Sequence, residues 1–444
     1  MSAERGSVRV HIETYGCQMN AYDSSAIHGI LAARGYARSD SPLEAEVVLL
    51  NTCSVRDLAE HKILSRIGEL RSLRRRGLAN ADIVGVCGCM AERLKGGFVA
   101  GGRGPDLVAG VDQYDRLPDL LDGLLQGEPA PTPVAVGHRD DVHYVAPPEA
   151  YPTNNSHLVT IHKGCDYRCT YCIVPETRGP QREKAPLLIE AEIRRIVERG
   201  GREVTLLGQN VTAYRSGDLD FAGLLRRLEE IDGLERIRFL TGHPCDMTDD
   251  LIRTIAALDK TCPWLHVPAQ SGSDAVLRRM KRLYTRDRYL AMVAAARRWI
   301  PDVTFSGDII VGFPGETDAD FRRTLELVRE VRYDLLFSFK YSERPGTPAA
   351  KLADDVPPEA KKERLAELMA VQDAIWDDLA AAQTGAVWEV AVEAEARRPA
   401  GSWRARTPNN RKVLLHGGDH RPGDLVRVRV TGCEASTFEA EPIN

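Results

Sequence analysis

Residues 158–341 contain a repeated alternation that limits the fold more than any other feature of the chain. Short apolar segments typical of buried strands recur there, and helical patterns such as 221–231 and 318–331 fill the intervals. The six apolar segments are 158–162, 203–207, 237–240, 265–268, 305–311 and 335–341. Strands that alternate with helices form parallel sheets, and a complete barrel of eight such units needs about 250 residues. The pattern therefore predicts an incomplete (β/α) barrel of six units.

A cysteine-rich loop follows the first of these predicted strands. Cys165, Cys169 and Cys172 form a C-x3-C-x2-C run. Cubane iron–sulfur clusters usually take four cysteine ligands, so three cysteines leave one iron free to bind another molecule. The amino and carboxylate groups of S-adenosylmethionine suit such an iron. Because barrel active sites lie at the carboxyl ends of the strands, this loop stands where a barrel performs its chemistry.

Composition places the chain among globular proteins. Its 444 residues exceed one ordinary core and predict two to four domains. We expect a cytoplasmic protein without a membrane span, since no long apolar run is present and the N-terminus lacks the apolar region of a secretory signal. In a reducing compartment its ten cysteines favour metal ligation or catalysis over disulfides. The net charge of −5 gives no general affinity for nucleic acid, so any polyanion site must be local.

The regions on either side of the predicted barrel differ from it in pattern. Residues 8–125 carry apolar segments at 8–15, 47–51, 83–86 and 107–111 between helical patterns, which predicts an α/β domain with a parallel sheet. Residues 126–150 are rich in proline and predict a linker. The barrel domain then spans 151–383 and ends in a long helix after Val356-Pro-Pro-Glu. Residues 384–444 contain strand patterns at 387–392, 412–415 and 425–430, which predict a small all-β barrel.

A second set of cysteines lies in the N-terminal domain. Cys17, Cys53 and Cys89 each follow a predicted strand, so a parallel sheet would place all three at its carboxyl edge, where ligands gather. Cys87 complicates this assignment, because it precedes Cys89 by two residues and would point to the same face of an extended chain. The spacing leaves open which of these two cysteines is a ligand.

The motifs around both cysteine sets resemble those of the radical S-adenosylmethionine methylthiotransferases, and the resemblance covers essentially the whole chain. The matching segments are Tyr15-Gly-Cys-Gln-Met-Asn, Asn51-Thr-Cys-Ser-Val-Arg, Gly88-Cys-Met-Ala, Gly164-Cys-Asp-Tyr-Arg-Cys-Thr-Tyr-Cys-Ile-Val-Pro, Gln270-Ser-Gly-Ser and Asp308-Ile-Ile-Val-Gly-Phe-Pro-Gly-Glu-Thr. The resemblance implies two [4Fe–4S] clusters, each with an open iron. Their ligands would be Cys165, Cys169 and Cys172 for one cluster, and Cys17, Cys53 and Cys89 for the other. The family motif matches Cys89 and leaves Cys87 as an extra cysteine.

The resemblance also implies that the two clusters have different functions. One would bind S-adenosylmethionine and make a radical from it, and the other would carry sulfur. No catalytic residue is identified beyond the cluster ligands. Related enzymes imply that Tyr171, the Gly208-Gln209-Asn210 turn, and Asp308 and Gly312 of the 307–312 segment bind the cofactor, while Gln270 and Ser271 end the fourth strand and face the same pocket. Turn, capping or packing roles are the alternatives for these residues.

The C-terminal region carries a local excess of positive charge. Between residues 397 and 429 there are nine lysines or arginines against two acids, a balance that suits a phosphate backbone. The region resembles the TRAM domain, a small RNA-binding β-barrel. The candidate RNA-binding residues are Arg397, Arg398, Trp403, Arg404, Arg406, Arg411 and Lys412. A solvated basic face with Trp403 in the core is the alternative.

The forms of three motifs are most similar to the subgroup that makes 2-methylthio-N6-isopentenyladenosine in tRNA. These are Tyr15-Gly-Cys-Gln-Met-Asn, Asn51-Thr-Cys-Ser-Val-Arg and Tyr341-Ser-Glu-Arg-Pro-Gly-Thr-Pro-Ala-Ala. The resemblance thus implies a monomeric enzyme that acts on N6-isopentenylated adenosine 37 in a tRNA anticodon stem-loop, with an electron donor and a sulfur source as further partners. Alternative substrates are N6-threonylcarbamoyladenosine and a ribosomal-protein aspartate, although Gln18-Met19 argues against both. A non-catalytic iron–sulfur or tRNA-binding protein is the alternative of another class.

Overall fold

The computed structural model describes residues 7–54, 57–98, 104–127, 133–140, 144 and 156–443. The chain divides into two compact units. The first unit comprises Met1–Pro152, Lys163–Asp166 and Ile173–Arg182, and the second comprises Thr153–His162, Tyr167–Cys172 and Glu183–Asn444. Within the described ranges, no helix combines the length and the apolar character needed to cross a membrane.

The first unit is built on a parallel sheet of six strands in the order β2-β1-β3-β4-β5-β6. Its strands are β1 (Arg9–Tyr15), β2 (Ala37–Arg38), β3 (Val47–Thr52), β4 (Ile83–Gly88), β5 (Leu107–Ala109) and β6 (Val134–Ala135). Its helices are α1 (Gln18–Ala32), α2 (Asp57–Arg75), α3 (Cys89–Leu94), α4 (Leu117–Leu125) and α5 (Val174–Thr177). Strands β3 and β4 are buried along their whole length, because helices cover both faces of a parallel sheet.

The predicted parallel α/β domain is confirmed, with two strands that the sequence did not indicate. Strands β2 and β6 have only two residues each, too few to show a periodic pattern. Strand β6 pairs with β5 and lies inside the segment expected to be a linker, so that expectation is wrong at residues 134–135. The linker residues 128–132, 141–143 and 145–150 lie outside the described residues.

The second unit contains the six predicted parallel strands. They are β7 (Ser156–Thr160), β10 (Glu203–Leu207), β13 (Arg236–Phe239), β14 (Trp264–His266), β15 (Thr304–Val311) and β16 (Leu335–Lys340), and the short strands between them are β8 (His162–Lys163), β9 (Arg182–Glu183), β11 (Arg215–Ser216) and β12 (Leu219–Asp220). The long strands form two three-stranded sheets, β13-β10-β7 and β14-β15-β16, and a bridge between Ile237 and Thr261 links them. The incomplete (β/α) barrel is confirmed.

Helices connect successive strands of this barrel. They are α6 (Pro186–Glu198), α7 (Phe221–Glu229), α8 (Asp249–Ala257), α9 (Asp274–Arg279), α10 (Arg286–Trp299) and α11 (Asp318–Val331). Most begin at a side-chain cap: Thr248 accepts a hydrogen bond from the Leu251 amide, and Thr317 forms a capping box with Asp320. These caps fix where each helix starts after the loop at the carboxyl end of the preceding strand.

A long helix and a small closed barrel complete the second unit. Helix α12 (Pro358–Ala381) precedes β17 (Val387–Glu395), β18 (Ser402–Arg406), β19 (Lys412–His416), β20 (Leu425–Glu434) and β21 (Thr437–Pro442). These strands close in the order β17-β18-β19-β21-β20 around a core that includes Val390, Leu415 and Phe438. The predicted all-β barrel is confirmed. The sequence analysis missed β18 and β21, whose inward residues alternate with arginines or glutamates.

Residues 407–411 of the small barrel attach it to the large one. The Arg238 guanidinium donates to the carbonyl oxygens of Thr407 at 2.9 Å and Pro408 at 2.7 Å. The Thr304 hydroxyl donates to the Asn409 carbonyl at 2.7 Å, and Arg411 forms an ion pair with Asp334 at 3.1 Å. Thr304 begins β15 and Asp334 precedes β16, so the small barrel is bound at the amino ends of strands.

Candidate functional site

The sheet of the first unit brings Cys17, Cys53 and Cys89 to one edge. Cys17 follows β1 and precedes α1, Cys53 follows β3 directly, and Cys89 is the first residue of α3. The Cys53 thiol is hydrogen bonded to Cys17, and this bond, together with the positive charge of Arg178, lowers the pKa of Cys17 to about 6. Cys17 is exposed, whereas Cys53 and Cys89 are buried. These contacts favour the thiolate form of Cys17, which is the form that binds metals.

Two asparagines in the cysteine motifs hold these loops together. The Asn20 side chain donates to Asn51 Oδ1 at 3.1 Å and to the Thr52 carbonyl at 3.2 Å, and its oxygen accepts from the Cys17 thiol at 3.4 Å. The side-chain amide of Asn51 in turn donates to the backbone carbonyl of Asn20 at 2.8 Å. Both asparagines are fully buried, so each bond also satisfies a polar group that water cannot reach. This reciprocal pair fixes the loop of Cys17 against the loop of Cys53.

Gly88 separates the roles of Cys87 and Cys89. Its φ of +93° ends β4, so the alternation that would point both thiols to one face stops there. A Cβ at this position would lie 2.5 Å from Asn51 Oδ1, which leaves room only for glycine. Cys87 stays inside the strand, where burial raises the pKa of its thiol to about 12. Cys89 instead begins α3 next to Arg178, so the geometry favours Cys89 as the ligand.

These three cysteines fit an iron–sulfur cluster. In the described part of the chain, no group of three His, Cys, Asp or Glu residues could hold a single metal ion. A cubane cluster requires a different arrangement, because each thiolate binds a separate iron. Arg178 supplies a buried positive charge, and its Nη1 is buried with no hydrogen-bond partner among the described residues. An anionic group bound at the thiolates would satisfy that charge.

The loop of Cys165, Cys169 and Cys172 follows the carboxyl end of β7 in the chain. Within the second unit, the Cys172 amide donates to the Cys169 carbonyl at 3.1 Å, which makes a tight turn between these two cysteines. Cys169 is buried, and its sulfur accepts a hydrogen bond from Arg282 Nη1 at 3.4 Å. Within the first unit, the Cys165 amide donates to the Gly179 carbonyl at 3.2 Å.

Tyr167 anchors this cysteine loop to the barrel. Its hydroxyl donates to Asp246 at 2.9 Å, and its ring stacks on His243 with the ring centres 3.9 Å apart. Asn210, which follows β10, donates to the same Asp246 carboxylate at 2.6 Å. The predicted cofactor residue Asn210 therefore has a clear structural role. Through Asp246, it helps to hold Tyr167 against the residues that follow β10 and β13 in the second unit.

Other predicted cofactor residues also have structural contacts. A Cβ on Gly208 would lie 2.2 Å from His162 Nε2, so a glycine is needed there. The Gly312 amide donates to Glu316 at 2.8 Å, and Ser271 is hydrogen bonded to Thr324 at 3.3 Å. Tyr171 packs against the apolar cluster that contains Phe313 and Tyr341. These contacts support packing and turn roles for Gly208, Ser271 and Gly312, while Gln209 remains partly exposed.

Gln270 and Asp308 differ from those residues, because they present polar groups that the protein does not fully use. Gln270 has a φ of +66°, and its Oε1 is buried with no partner among the described residues. Asp308 lies 3.8 Å from His266, and burial raises the pKa of its carboxyl to about 6. The backbone amide of Gln270 donates to the backbone carbonyl of Asp308 at 2.8 Å, so the two residues are adjacent. This corner of the barrel fits a polar ligand such as S-adenosylmethionine.

The candidate RNA-binding residues separate into two groups. Arg397, Arg398, Arg404 and Lys412 are exposed. Arg406 is paired with Glu393 at 2.5 Å and Arg411 with Asp334 at 3.1 Å, so both guanidinium groups are already engaged. Trp403 is half-buried against the barrel core and donates to the Gly418 carbonyl at 3.3 Å. A basic surface for RNA would therefore rest on the exposed group.

Comparison with known proteins gives full-length matches. The chain is 42% identical to the tRNA-2-methylthio-N(6)-dimethylallyladenosine synthase of Symbiobacterium thermophilum, over 98% of this chain and 94% of that protein. It is also 42% identical to the synthase of the same name from Porphyromonas gingivalis, over 100% of this chain and 96% of that protein. The chain belongs to this family.

Family profiles and a solved structure agree with the architecture. The profile of the Radical SAM superfamily matches residues 159–328, that of the TRAM domain matches 381–443, and that of Uncharacterized protein family UPF0004 matches 9–110. The radical S-adenosylmethionine methyltransferase TsrM from Kitasatospora setae has a similar fold, with a TM-score of 0.55 and 14% identity over 77% of this chain and 75% of that chain. Members of the radical SAM superfamily use S-adenosylmethionine and a [4Fe–4S] cluster, and both apply to this chain.

The sequence analysis missed four residues that complete the family's two cysteine sites. Asn20 and Asn51 stand inside the quoted motifs, so their position in sequence was an available signal, whereas Arg178 lies 89 residues from Cys89 and gave none. Arg282 gave no such signal, because it lies 113 residues from Cys169 and reaches it only through the fold.

Proposed function

We propose that this chain replaces the hydrogen at C2 of N6-dimethylallyladenosine, at position 37 of tRNA, with a methylthio group. The proposal rests on the presence of two separate sets of three cysteines. In each set, one cysteine sulfur accepts a hydrogen bond from a buried or half-buried arginine. One radical-generating cluster would need only one set. The 42%-identical relatives are named for the synthesis of this nucleoside, which supports the substrate.

The residues of each site have distinct tasks in this proposal. Bound S-adenosylmethionine and two [4Fe–4S] clusters would supply the methyl group, the hydrogen-abstracting radical and a site that carries sulfur. Cys165, Cys169 and Cys172 would hold one cluster, and Gln270 with Asp308 would contact S-adenosylmethionine. Cys17, Cys53 and Cys89 would hold the second cluster at the edge of the parallel sheet. A sulfur source and an electron donor must supply what the chain itself does not hold.

The C-terminal barrel is proposed to bind the anticodon stem-loop. Arg397, Arg398, Arg404 and Lys412 are exposed and would contact phosphates. Replacing Arg404 and Lys412 with alanine should lower the salt dependence of tRNA binding by about one ion per residue removed. The matched control is Arg406→Ala, which breaks the ion pair with Glu393 and should change the slope less. Equal slopes for both variants would argue against this surface. Because its proposed substrate is tRNA, we place the enzyme in the cytoplasm, and we keep the monomer implied by the family resemblance as part of the proposal.

Nucleoside analysis of a deletion strain tests the function directly. We expect the tRNA to lose 2-methylthio-N6-dimethylallyladenosine and to accumulate N6-dimethylallyladenosine, and the intact gene should restore the product. If the strain instead lost the methylthio group from N6-threonylcarbamoyladenosine, the proposed substrate would be wrong and the proposed reaction class would stand.

A reconstitution experiment separates the enzyme from a non-catalytic iron–sulfur protein. Two cubane clusters correspond to about eight irons per chain. Anaerobic reconstitution should give that number, and S-adenosylmethionine with a reductant should then yield 5′-deoxyadenosine. One cluster and no cleavage would contradict the proposal.

A further inference from the structure

Arg178 contacts the N-terminal cysteine set although it lies far from all three cysteines in sequence. It belongs to the first unit and follows α5, where its guanidinium is 3% exposed. Its Nε donates to Cys89 Sγ at 3.2 Å, and its Nη2 donates to the Asp23 carboxylate at 2.7 Å. One edge of the guanidinium thus bonds a thiol and a carboxylate at once.

The surroundings fix Arg178 in this position. Tyr114 donates to the same Asp23 carboxylate at 3.4 Å, and the Arg178 carbonyl accepts from Arg182 Nη2 at 2.7 Å. All these groups are buried, so they interact in a medium of lower dielectric than water. Burying an arginine this deeply is costly unless anions are close. Asp23 is one such anion, and the Cys89 sulfur in the deprotonated form that binds iron would be the other.

We propose that Arg178 is a positioning residue that holds the Cys89 sulfur by its hydrogen bond and, through its charge, raises the reduction potential of the N-terminal cluster. Asp23 opposes this effect, because it neutralises part of the guanidinium charge. The inference rests on the proposed function, in which Cys17, Cys53 and Cys89 hold the second cluster. It adds a residue that sets the electronic properties of that cluster.

The electrostatics predict opposite signs for two substitutions. Hydrogen bonds to cluster sulfurs and nearby charge are known to set reduction potentials. A reduced cluster carries one more negative charge, so a nearby cation stabilises it. Removing Arg178 should therefore lower the potential, whereas removing the Asp23 charge should raise it. If both residues only stabilised the fold, both substitutions would weaken the site in the same direction.

The test uses the full chain with Cys165, Cys169 and Cys172 replaced by alanine, so that only the N-terminal cluster remains. After anaerobic reconstitution, the potential is measured by electron paramagnetic resonance during a redox titration, and iron loss to a chelator is timed. The variants are Arg178→Met, Arg178→Lys and Asp23→Asn. Arg238→Met is the matched control, because Arg238 is equally buried and forms a carboxylate pair with Glu203 at 2.9 Å in the second unit.

We expect Arg178→Met to lower the potential and to lose iron roughly 10-fold faster, the scale typical of residues behind metal ligands. Arg178→Lys should restore part of both effects, because it keeps the charge but not the planar edge that bonds Cys89 and Asp23 together. Asp23→Asn should raise the potential, and Arg238→Met should leave it unchanged.

Two results would overturn the inference in different ways. The role of Arg178 alone would be overturned if the parent protein, Arg178→Met and Asp23→Asn all had the same cluster potential. It would also be overturned if the potential shifted in the same direction in both variants. Failure of the parent protein to hold any cluster would overturn the two-cluster function, and the inference with it.

Discussion

The two cysteine sites differ in how the fold assembles them and in how it balances charge. The N-terminal set comes from the ends of three strands and is held together by the Asn20–Asn51 pair. The barrel set comes from one short loop. Each set has one cysteine bonded to an arginine, but Arg178 is paired with Asp23, whereas Arg282 bonds neutral oxygens of Pro268 and Tyr284. Within the described residues no carboxylate lies within ion-pair distance of Arg282, although its charge acts on the Asp308 carboxyl and opposes the rise in its pKa.

This difference indicates distinct sensitivities for the two sites. A site built from three strand ends depends on the packing of the whole sheet, while a site built from one loop depends on local turns and on Tyr167. Asp23 contacts Arg178 directly and reduces the effect of its charge, whereas the Asp308 carboxylate acts on Arg282 without a direct ion pair. Substitutions can therefore distinguish the two sites, both by which cluster is lost and by how far the reduction potential of each cluster shifts.

The largest expected effect is the loss of the barrel cluster. Replacing Cys165, Cys169 and Cys172 with alanine should remove about half of the iron and abolish 5′-deoxyadenosine formation. The N-terminal cluster should remain, because its sheet shares none of these thiols. Iron analysis and chromatography of the reaction with S-adenosylmethionine check both results. Loss of all iron would show that the two sites are not independent.

The next largest effect concerns the choice between Cys89 and Cys87. Cys89→Ala should remove the N-terminal cluster and stop methylthio transfer, while cleavage of S-adenosylmethionine continues. Cys87→Ala is the matched control, since Cys87 is fully buried inside β4, ahead of the turn that Gly88 makes before Cys89. That variant should keep both clusters and lose only about 1–2 kcal/mol of stability from the small cavity. Iron loss in Cys87→Ala alone would reverse the assignment.

A smaller effect separates the two arginines. Arg282→Met should lower the potential of the barrel cluster more than Arg178→Met lowers that of the N-terminal cluster, because Asp23 contacts Arg178 at 2.7 Å, whereas no carboxylate lies within ion-pair distance of Arg282 in the described structure. The rate of S-adenosylmethionine cleavage should fall by roughly 10- to 100-fold. Redox titrations of single-cluster proteins measure both shifts. Equal shifts would show that Asp23 does not moderate Arg178.

The extent of prediction from sequence also differs between the two sites. Barrel strands and the cysteines of both sites could be predicted, because apolar periodicity and short-range spacing are visible in a single chain. The pairing of Asn20 with Asn51 and of Cys169 with Arg282 could not, since these contacts join segments 31 and 113 residues apart. Likewise, the conformation of Gly88 that separates Cys87 from Cys89 depends on Asn51 and Thr52 of the neighbouring strand. Spacing locates ligands, but the residues that hold them depend on the folded contacts.

The smallest effect is a pH dependence that arises from Asp308 in the barrel site. Burial raises the pKa of Asp308 to about 6, from 3.8, and its side chain is 29% exposed. A carboxyl with a raised pKa in the folded state binds a proton more tightly there than in the unfolded chain. Its contribution to stability is therefore present below about pH 4 and is lost as the pH rises through about 6.

Asp308→Asn should remove this dependence, because the amide cannot ionise. In the metal-free chain, the variant should match the parent near pH 4 and exceed it by about 1–2 kcal/mol at pH 8, a value reduced for partial exposure. Urea denaturation at both pH values measures the difference. A gain of the same size at pH 4 and pH 8 would mean that ionisation of Asp308 is not the cause. A gain only at pH 8 would show that burial destabilises the ionised form of Asp308 in the barrel site, in contrast to the ion-paired Asp23 of the N-terminal site.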